Sequence, residues 1–261
     1  MERTLTEAIN YHYGNILSGA RRDPSKIFDT IGFLNRGYWK GVENSPEVAQ
    51  INLIEVLSGF FSSRDGNILD VACGIGGAAR FLTKYFEPKL ITGINISEKQ
   101  LDVCKVVAPA CNFTLMDATQ LGFEDSTFDN LLCIEAALHF FTRQRFFEEA
   151  YRVLRPAGRL AMLDSLCNYE LLEEFQAEML PKENYLPSLD AYTESLSKVG
   201  FRHVRVEDCT EFAMTASTNY MVESAEKEFG RTQDPRLLED IKRATMRARA
   251  YRPNCLVFAI K

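Results

Sequence analysis

Closely spaced cysteine pairs, long apolar runs and an excess of positive charge are all missing from this sequence. The seven cysteines are scattered and form no C-x-x-C pair, which disfavours a disulfide framework or a zinc site. No uninterrupted apolar stretch approaches the roughly 18 residues of a membrane span, and the opening MERTLTEAINYHYG lacks the apolar centre of a signal peptide. A formal net charge of −6 disfavours general binding to a phosphate backbone. We therefore expect a cytoplasmic protein with no metal site, no nucleic-acid partner and no membrane partner.

The apolar residues of the sequence follow two alternating periods. The chain has 261 residues, 46% of them hydrophobic, enough for a sizeable core. From residue 67 onward, short β-rich runs such as NILDVA, LITGIN and FDNLLCI alternate with amphipathic stretches such as SEKQLDVCKVV and RQRFFEEAYRVL. This alternation predicts an α/β fold, a Rossmann-like, doubly wound, seven-stranded and mostly parallel sheet with an antiparallel last strand.

An acidic, glycine-rich loop follows the first predicted strand. Residues 70–77 read DVACGIGG, and small residues let the backbone approach a ligand closely. In a doubly wound sheet this turn lies at the carboxyl edge, where ligands bind. A carboxylate at Asp70 would repel a phosphate and attract an ammonium group. The second strand ends in GINIS, with Asn95 where NAD enzymes usually place an acid for the ribose. Both features disfavour a dinucleotide, and a turn without any ligand remains the alternative.

Over roughly residues 35–208 the sequence resembles the class I methyltransferases that use S-adenosylmethionine, in the branch that acts on small molecules such as natural products and sugars. The resemblance implies S-adenosylmethionine as cofactor, with its methionine end held by Asp70, Ala72, Gly74 and Gly76. The family's first loop glycine is Ala72 here, a mild departure because alanine has the next smallest side chain.

The resemblance also implies contacts from the second and third strands. The ribose and adenosine contacts fall in GINISEKQ and the adenine contacts in LMDAT, and together they comprise Asn95, Ile96, Gln100, Asp117 and Ala118. An ionised carboxylate only accepts hydrogen bonds, which suits Asp117 to the adenine amino group. Two structural alternatives stay open: SEKQ is also a capping box, and the acid in LMDAT also suits an exposed turn.

The segment after the fourth strand, CIEAALHFF, resembles the region in which O-methyltransferases carry a histidine that faces the methyl group. His139 matches that position, and an imidazole can remove the proton of a hydroxyl acceptor. Asp164 ends the neighbouring strand, so we predict that His139 and Asp164 form a catalytic pair. Glu135 is predicted to line the cofactor pocket. The alternative for His139 is a hydrogen-bonded core histidine packed between Leu138 and Phe140.

The flanking segments complete the predicted organisation. We expect one domain over 1–261, with a helical lid at 1–60, a cofactor-binding core at 61–208, a helical insertion at 209–252 and the last strand at 253–261. In the NRGYWKG segment, Tyr38 is predicted to contact the cofactor, since aromatic faces attract a sulfonium, although a core role is the alternative.

These observations predict methyl transfer from S-adenosylmethionine to a hydroxyl of a small, apolar or aromatic secondary metabolite, with His139 as general base. N- or C-methylation of a small metabolite is the nearest alternative. A nicotinamide oxidoreductase and a non-methylating cyclase or scaffold that binds the cofactor are more distant ones. The partner is a small-molecule acceptor, and a homodimer is compatible with the sequence.

Overall fold

A seven-stranded mixed sheet organises the chain. The computed structural model describes residues 4–17, 33–41, 45–61, 64–172 and 179–261. The strands are β1 Ile68–Val71, β2 Ile91–Asn95, β3 Asn112–Leu115, β4 Phe128–Ile134, β5 Leu154–Ser165, β6 Arg202–Asp208 and β7 Asn254–Ile260. Their order is 3-2-1-4-5-7-6, and β7 runs antiparallel to both of its neighbours. The predicted sheet, with its antiparallel last strand, is confirmed.

Helices cover both faces of this sheet. They are α1 Leu5–Leu17, α2 Pro46–Ser58, α3 Gly77–Leu82, α4 Glu98–Val107, α5 Arg143–Val153, α6 Tyr169–Leu172, α7 Leu189–Val199, α8 Ala216–Thr232 and α9 Arg236–Ala250. On one face, Leu53 and Leu57 of α2 bury against the sheet with α3, and on the other Phe146 of α5 packs with Leu196 of α7. Residues this deeply buried each contribute roughly 1.5–3 kcal/mol of transfer free energy.

The helices begin and end where local chemistry dictates. Ser188 caps α7 by accepting a hydrogen bond from the Ala191 N–H, and Thr142 caps α5 in the same way through Arg145. Gly200, with a φ of +122°, ends α7. α5 ends at Val153 and β5 begins at once with Leu154, where the RPAG segment forms a bulge against β4.

The predicted helical insertion lies between β6 and β7, two antiparallel neighbours, and contains α8 and α9. Trp39 packs against Tyr220 of α8, with ring centroids 5.0 Å apart, and its backbone N–H donates to the Phe212 carbonyl. Residues 33–41 are therefore tied to the insertion. No helix in the described parts of the chain has both the length and the apolar content needed to span a bilayer.

Candidate active site

A cavity of about 380 Å³ opens at the carboxyl edge of the sheet. The sheet order reverses beside β1, whose neighbours are β2 and β4, so loops diverge there and leave a crevice. Ten of the predicted site residues line this cavity: Asp70, Ala72, Gly74, Asn95, Ile96, Gln100, Asp117, Ala118, Glu135 and His139. Tyr38, Gly76 and Asp164 are not among the described residues that line it.

The loop after β1 is shaped by backbone conformation. Ala72, Gly74 and Gly76 have φ angles of +54°, +55° and +87°, in the left-handed region that favours glycine. Ala72 therefore pays a conformational cost of roughly 1–2 kcal/mol that a glycine would avoid. Gly76 serves packing: a Cβ added there would lie 3.1 Å from the Cα of Cys104 in α4. Gly76 is packed against α4, and its predicted contact with the cofactor stays a prediction.

Asp70 lies at the end of β1 and is only 2% exposed. Its Oδ2 atom has no hydrogen-bond partner among the residues that the structure describes. Burial raises the pKa of this carboxyl to about 7. A buried, unpartnered carboxylate oxygen beside a cavity is suited to an ammonium group, which fits the amino group of a bound amino acid.

Asn95 and Gln100 are linked to each other. The Asn95 Nδ2 donates to the Gln100 Oε1 at 2.8 Å, and the Asn95 Oδ1 accepts from the Ser97 N–H at 3.0 Å. Ser97 precedes α4 but its side chain makes no capping hydrogen bond. The capping-box alternative for Gln100 is therefore wrong, since Asn95 takes both the glutamine oxygen and the Ser97 N–H.

Asp117 and Glu135 add two more carboxylates to the cavity wall. The Asp117 Oδ1 accepts from the Thr119 N–H at 2.7 Å and from the Thr119 hydroxyl at 2.8 Å, which orients the carboxylate. The Glu135 carboxylate accepts from the Arg36 N–H at 3.3–3.4 Å. Burial raises the pKa of Glu135, although Arg36 opposes the effect. Glu135 also holds a φ of +52°, a second strained residue in the wall.

His139 lines the cavity and makes one ring hydrogen bond with a described residue, between Nδ1 and the Met179 carbonyl at 2.9 Å. A carbonyl only accepts, so Nδ1 carries the proton and Nε2 is the basic nitrogen. Burial lowers the pKa of this imidazole below its ordinary value of 6.5. The ring is therefore neutral at pH 7, the form that a general base requires.

His139 and Asp164, the predicted catalytic pair, are not joined by a hydrogen bond among the described residues. Asp164 is fully buried, and its Oδ2 lies 2.9 Å from the Arg143 Nε and accepts from the Tyr192 hydroxyl at 2.8 Å. Burial lowers the pKa of the Arg143 guanidinium, but Asp164 and neighbouring groups outweigh it and the pKa is raised overall. Neighbouring strand ends bring the two backbones close, yet the carboxylate is drawn to the buried cation.

Tyr38 also differs from its prediction. Its ring stacks on Phe212 with centroids 5.2 Å apart, and its backbone N–H donates to the Ala49 carbonyl. The ring is therefore part of the packing between residues 33–41 and the insertion, which was the alternative.

The cavity is covered by residues of the segment predicted as a helical lid, although none of them was predicted individually. The described wall also includes Thr4, residues of α1 and residues 33–35, namely Thr4, Leu5, Thr6, Ile9, Tyr13, Phe33, Leu34 and Asn35. Asn10 of α1 donates to the Ile96 carbonyl at 3.5 Å, which fixes α1 near the end of β2. The apolar spacing of Leu5, Ile9 and Tyr13 on one helical face could have indicated this role. Residues 18–32 of the predicted lid lie outside the described residues.

Comparison with known proteins agrees with this geometry. Residues 69–162 match the model of a family described as a methyltransferase domain. An O-methyltransferase from Pyrenophora dematioidea is 30% identical over 198 residues, which cover 68% of this chain and 71% of the relative. The chain belongs to the class I S-adenosylmethionine-dependent methyltransferases.

A second curated relative and two solved structures are also similar to this chain. The 27-O-demethylrifamycin SV methyltransferase from Amycolatopsis mediterranei is 31% identical over 198 residues, covering 71% of this chain and 72% of that protein. A cyclopropane synthase from Mycobacterium tuberculosis has the same fold, with a TM-score of 0.77 at 17% identity over 98% of this chain and 97% of that one. A cyclase also shares the fold, with a TM-score of 0.73 at 18% identity over 100% and 97% of the two chains.

The cavity fits S-adenosylmethionine, the cofactor of this family. Asp70 offers an unpartnered buried carboxylate oxygen for the amino group of the methionine portion. Asn95, Gln100 and Asp117 present polar groups from the ends of β2 and β3. When bound, the cofactor supplies a methyl group on a positively charged sulfur, and the three carboxylates in the wall suit that charge.

Proposed function

We propose that this enzyme transfers the methyl group of S-adenosylmethionine to a hydroxyl of a small, neutral, apolar or aromatic metabolite, with His139 as the general base. The observation that carries the proposal is the state of the imidazole: Nδ1 is committed to the Met179 carbonyl, and Nε2 is basic in a ring that lines the cofactor cavity. Methyl transfer to oxygen needs a proton removed as the bond forms, and a neutral imidazole can accept it.

The wall of the cavity supports a neutral acceptor. Its described residues include the carboxylates of Asp70, Asp117 and Glu135 but no lysine or arginine. A phosphorylated acceptor would meet repulsion without a compensating cation. Its apolar side chains instead include Leu5, Ile9, Tyr13, Phe33, Leu34, Phe140 and Phe141, which favour an acceptor with an apolar or aromatic body.

The first experiment offers labelled S-adenosylmethionine with a panel of neutral phenols and alcohols, each matched with the corresponding amine and phosphate ester. We expect label on the hydroxyl compounds. Preferential labelling of the amines, or of carbon, would replace the O-methyltransferase assignment with the N- or C-methyltransferase alternative.

The second experiment tests the base. His139→Ala should lower kcat by roughly 100- to 10,000-fold while cofactor affinity stays within a few fold. Part of the activity should return at higher pH, where the acceptor hydroxyl ionises unaided. His203→Ala is the matched control, because His203 is an exposed histidine on β6. Normal turnover in His139→Ala would remove the base from the mechanism.

A further inference from the structure

Asn184 links three parts of the backbone beside His139. Its side chain is 4% exposed, and its Nδ2 donates to two carbonyls, that of Leu138 at 2.9 Å and that of Phe140 at 2.7 Å. These carbonyls belong to the residues immediately before and after His139. The Asn184 Oδ1 accepts from the Arg143 N–H at 2.7 Å. The carboxamide of Asn184 therefore makes hydrogen bonds both to the turn that carries His139 and to the first residue of α5.

The same short segment supplies the hydrogen bond of the ring. Met179 accepts from the His139 Nδ1, and Asn184 follows five positions later. The segment is held in place by the Asn184 N–H, which donates to Pro181, and by the Tyr169 hydroxyl, which donates to the Pro181 carbonyl at 2.7 Å. Both the backbone and the ring of His139 are thus positioned by residues 179–184.

Arg143 connects this segment to the sheet. Its Nη1 donates to the Asn184 carbonyl at 2.6 Å and its Nη2 to the Ser165 carbonyl at 3.0 Å. Its Nε pairs with Asp164 at 2.9 Å. Arg143, which is paired with Asp164, therefore holds Asn184 in place through hydrogen bonds. Asn184 in turn holds the turn that carries His139.

We propose that Asn184 is a positioning residue for His139, held by the Arg143–Asp164 ion pair, and that it sets the orientation of the imidazole towards the acceptor hydroxyl. This proposal rests on the proposed function. A general base must lie within hydrogen-bond distance of the proton it removes, and a displacement of about 1 Å can cost roughly 100-fold in rate. The contacts that prevent this displacement are the hydrogen bonds from Asn184 to two main-chain carbonyls. A substitution of Asn184 that removes its side-chain donor would leave both carbonyls without this partner.

The first test substitutes Asn184→Asp, which keeps the size of the side chain and an oxygen for the Arg143 N–H but removes both donors to the turn. Asn184→Ala removes all three hydrogen bonds. We expect kcat to fall roughly 10- to 100-fold in both variants, while the Kd for S-adenosylhomocysteine changes less than about threefold. Asn130→Ala is the matched control, because Asn130 is a fully buried asparagine at the other end of β4. It should lower thermal stability without lowering kcat.

The second test reads the imidazole directly and needs no acceptor. The chain has three histidines, so the signal of His139 in a histidine NMR spectrum is the one missing from His139→Ala. Burial of the ring lowers the pKa of His139, as does Arg143, whereas the Met179 carbonyl and Asp164 raise it. We expect Asn184→Ala to raise the pKa towards 6.5, because a loosened turn admits water. An unchanged pKa together with unchanged kcat would overturn the positioning role.

A double-mutant cycle separates this proposal from the proposed function. Asn184→Ala should cause no further loss of kcat in a His139→Ala background, because there is no base left to position. Equal losses in both backgrounds would show that Asn184 acts independently of His139 and would overturn the positioning role alone. No loss on His139→Ala itself would overturn the proposed base.

Discussion

Cofactor affinity should depend on the ionisation of Asp70. In the folded protein without cofactor, burial raises the pKa of this carboxyl to about 7, so it is largely protonated at pH 6. A cofactor ammonium group favours the carboxylate and lowers that pKa. Binding below pH 7 must therefore release a proton, and the affinity should fall by up to tenfold for each pH unit between about 7 and 5.

The same carboxylate should destabilise the folded protein above pH 7. In the unfolded chain Asp70 ionises near its ordinary pKa of 3.8, and in the folded chain at about 7. The folded state therefore holds more protons between these values, and the free energy of unfolding decreases as pH rises through that window. A difference of about 3 pKa units corresponds to about 4 kcal/mol. Asp70→Asn should remove this cost and raise stability at pH 8 in the absence of cofactor.

Calorimetry with S-adenosylhomocysteine from pH 5.5 to 8.5 measures how cofactor affinity depends on pH. Denaturant unfolding at pH 8 measures how much the buried carboxylate lowers stability. Asp70→Asn should bind at least 10-fold more weakly at pH 8, because a hydrogen bond to a charged group contributes about 1.5–3 kcal/mol, and its affinity should be nearly independent of pH. Glu135→Gln is the control, since Glu135 is another carboxyl of the wall whose pKa is raised by desolvation. Constant wild-type affinity over this range would refute the reasoning.

Three further substitutions test the backbone and the ion pair. Ala72→Gly should raise the free energy of unfolding by about 1 kcal/mol or less, because it relieves the strain of a φ of +54° but adds the backbone entropy that a glycine loses on folding. Denaturant unfolding measures this change, and a loss of stability would contradict the prediction. Gly76→Ala should destabilise by about 1–2 kcal/mol in the same assay, through its φ of +87° and the contact with Cys104, and unchanged stability would show that the loop can shift. Asp164→Asn should cost about 3–5 kcal/mol, because it leaves the Arg143 charge buried without a partner; a smaller loss in thermal and denaturant unfolding would argue against the ion pair.

The sheet and the cofactor loop could be predicted because their signals are local. Strand and helix periods alternate along the chain, and the carboxyl ends of parallel strands meet at one edge, so Asp70, Asn95 and Asp117 were expected to converge, and they do. The same rule applied to β4 placed Glu135 and His139 at this edge, and both line the cavity.

What sequence reasoning missed depends on side-chain direction and on distant contacts. The end of β5 lies beside the end of β4, but the Asp164 side chain is directed to Arg143 and Tyr192 and not to His139. Nothing in local periodicity indicates that Met179, 40 residues from His139, would supply its hydrogen bond. Tyr38 packs against Phe212, a contact that depends on where the insertion folds back.

The three carboxylates of the cavity wall also bear on turnover. Asp70, Asp117 and Glu135 lie in one wall whose described residues include no lysine or arginine. Sulfur is a cation in S-adenosylmethionine and a neutral thioether once the methyl group has left. A negatively charged wall therefore attracts the substrate form of the cofactor more strongly than the spent form. Electrostatics alone would therefore reduce product inhibition and favour the exchange of spent cofactor for fresh cofactor.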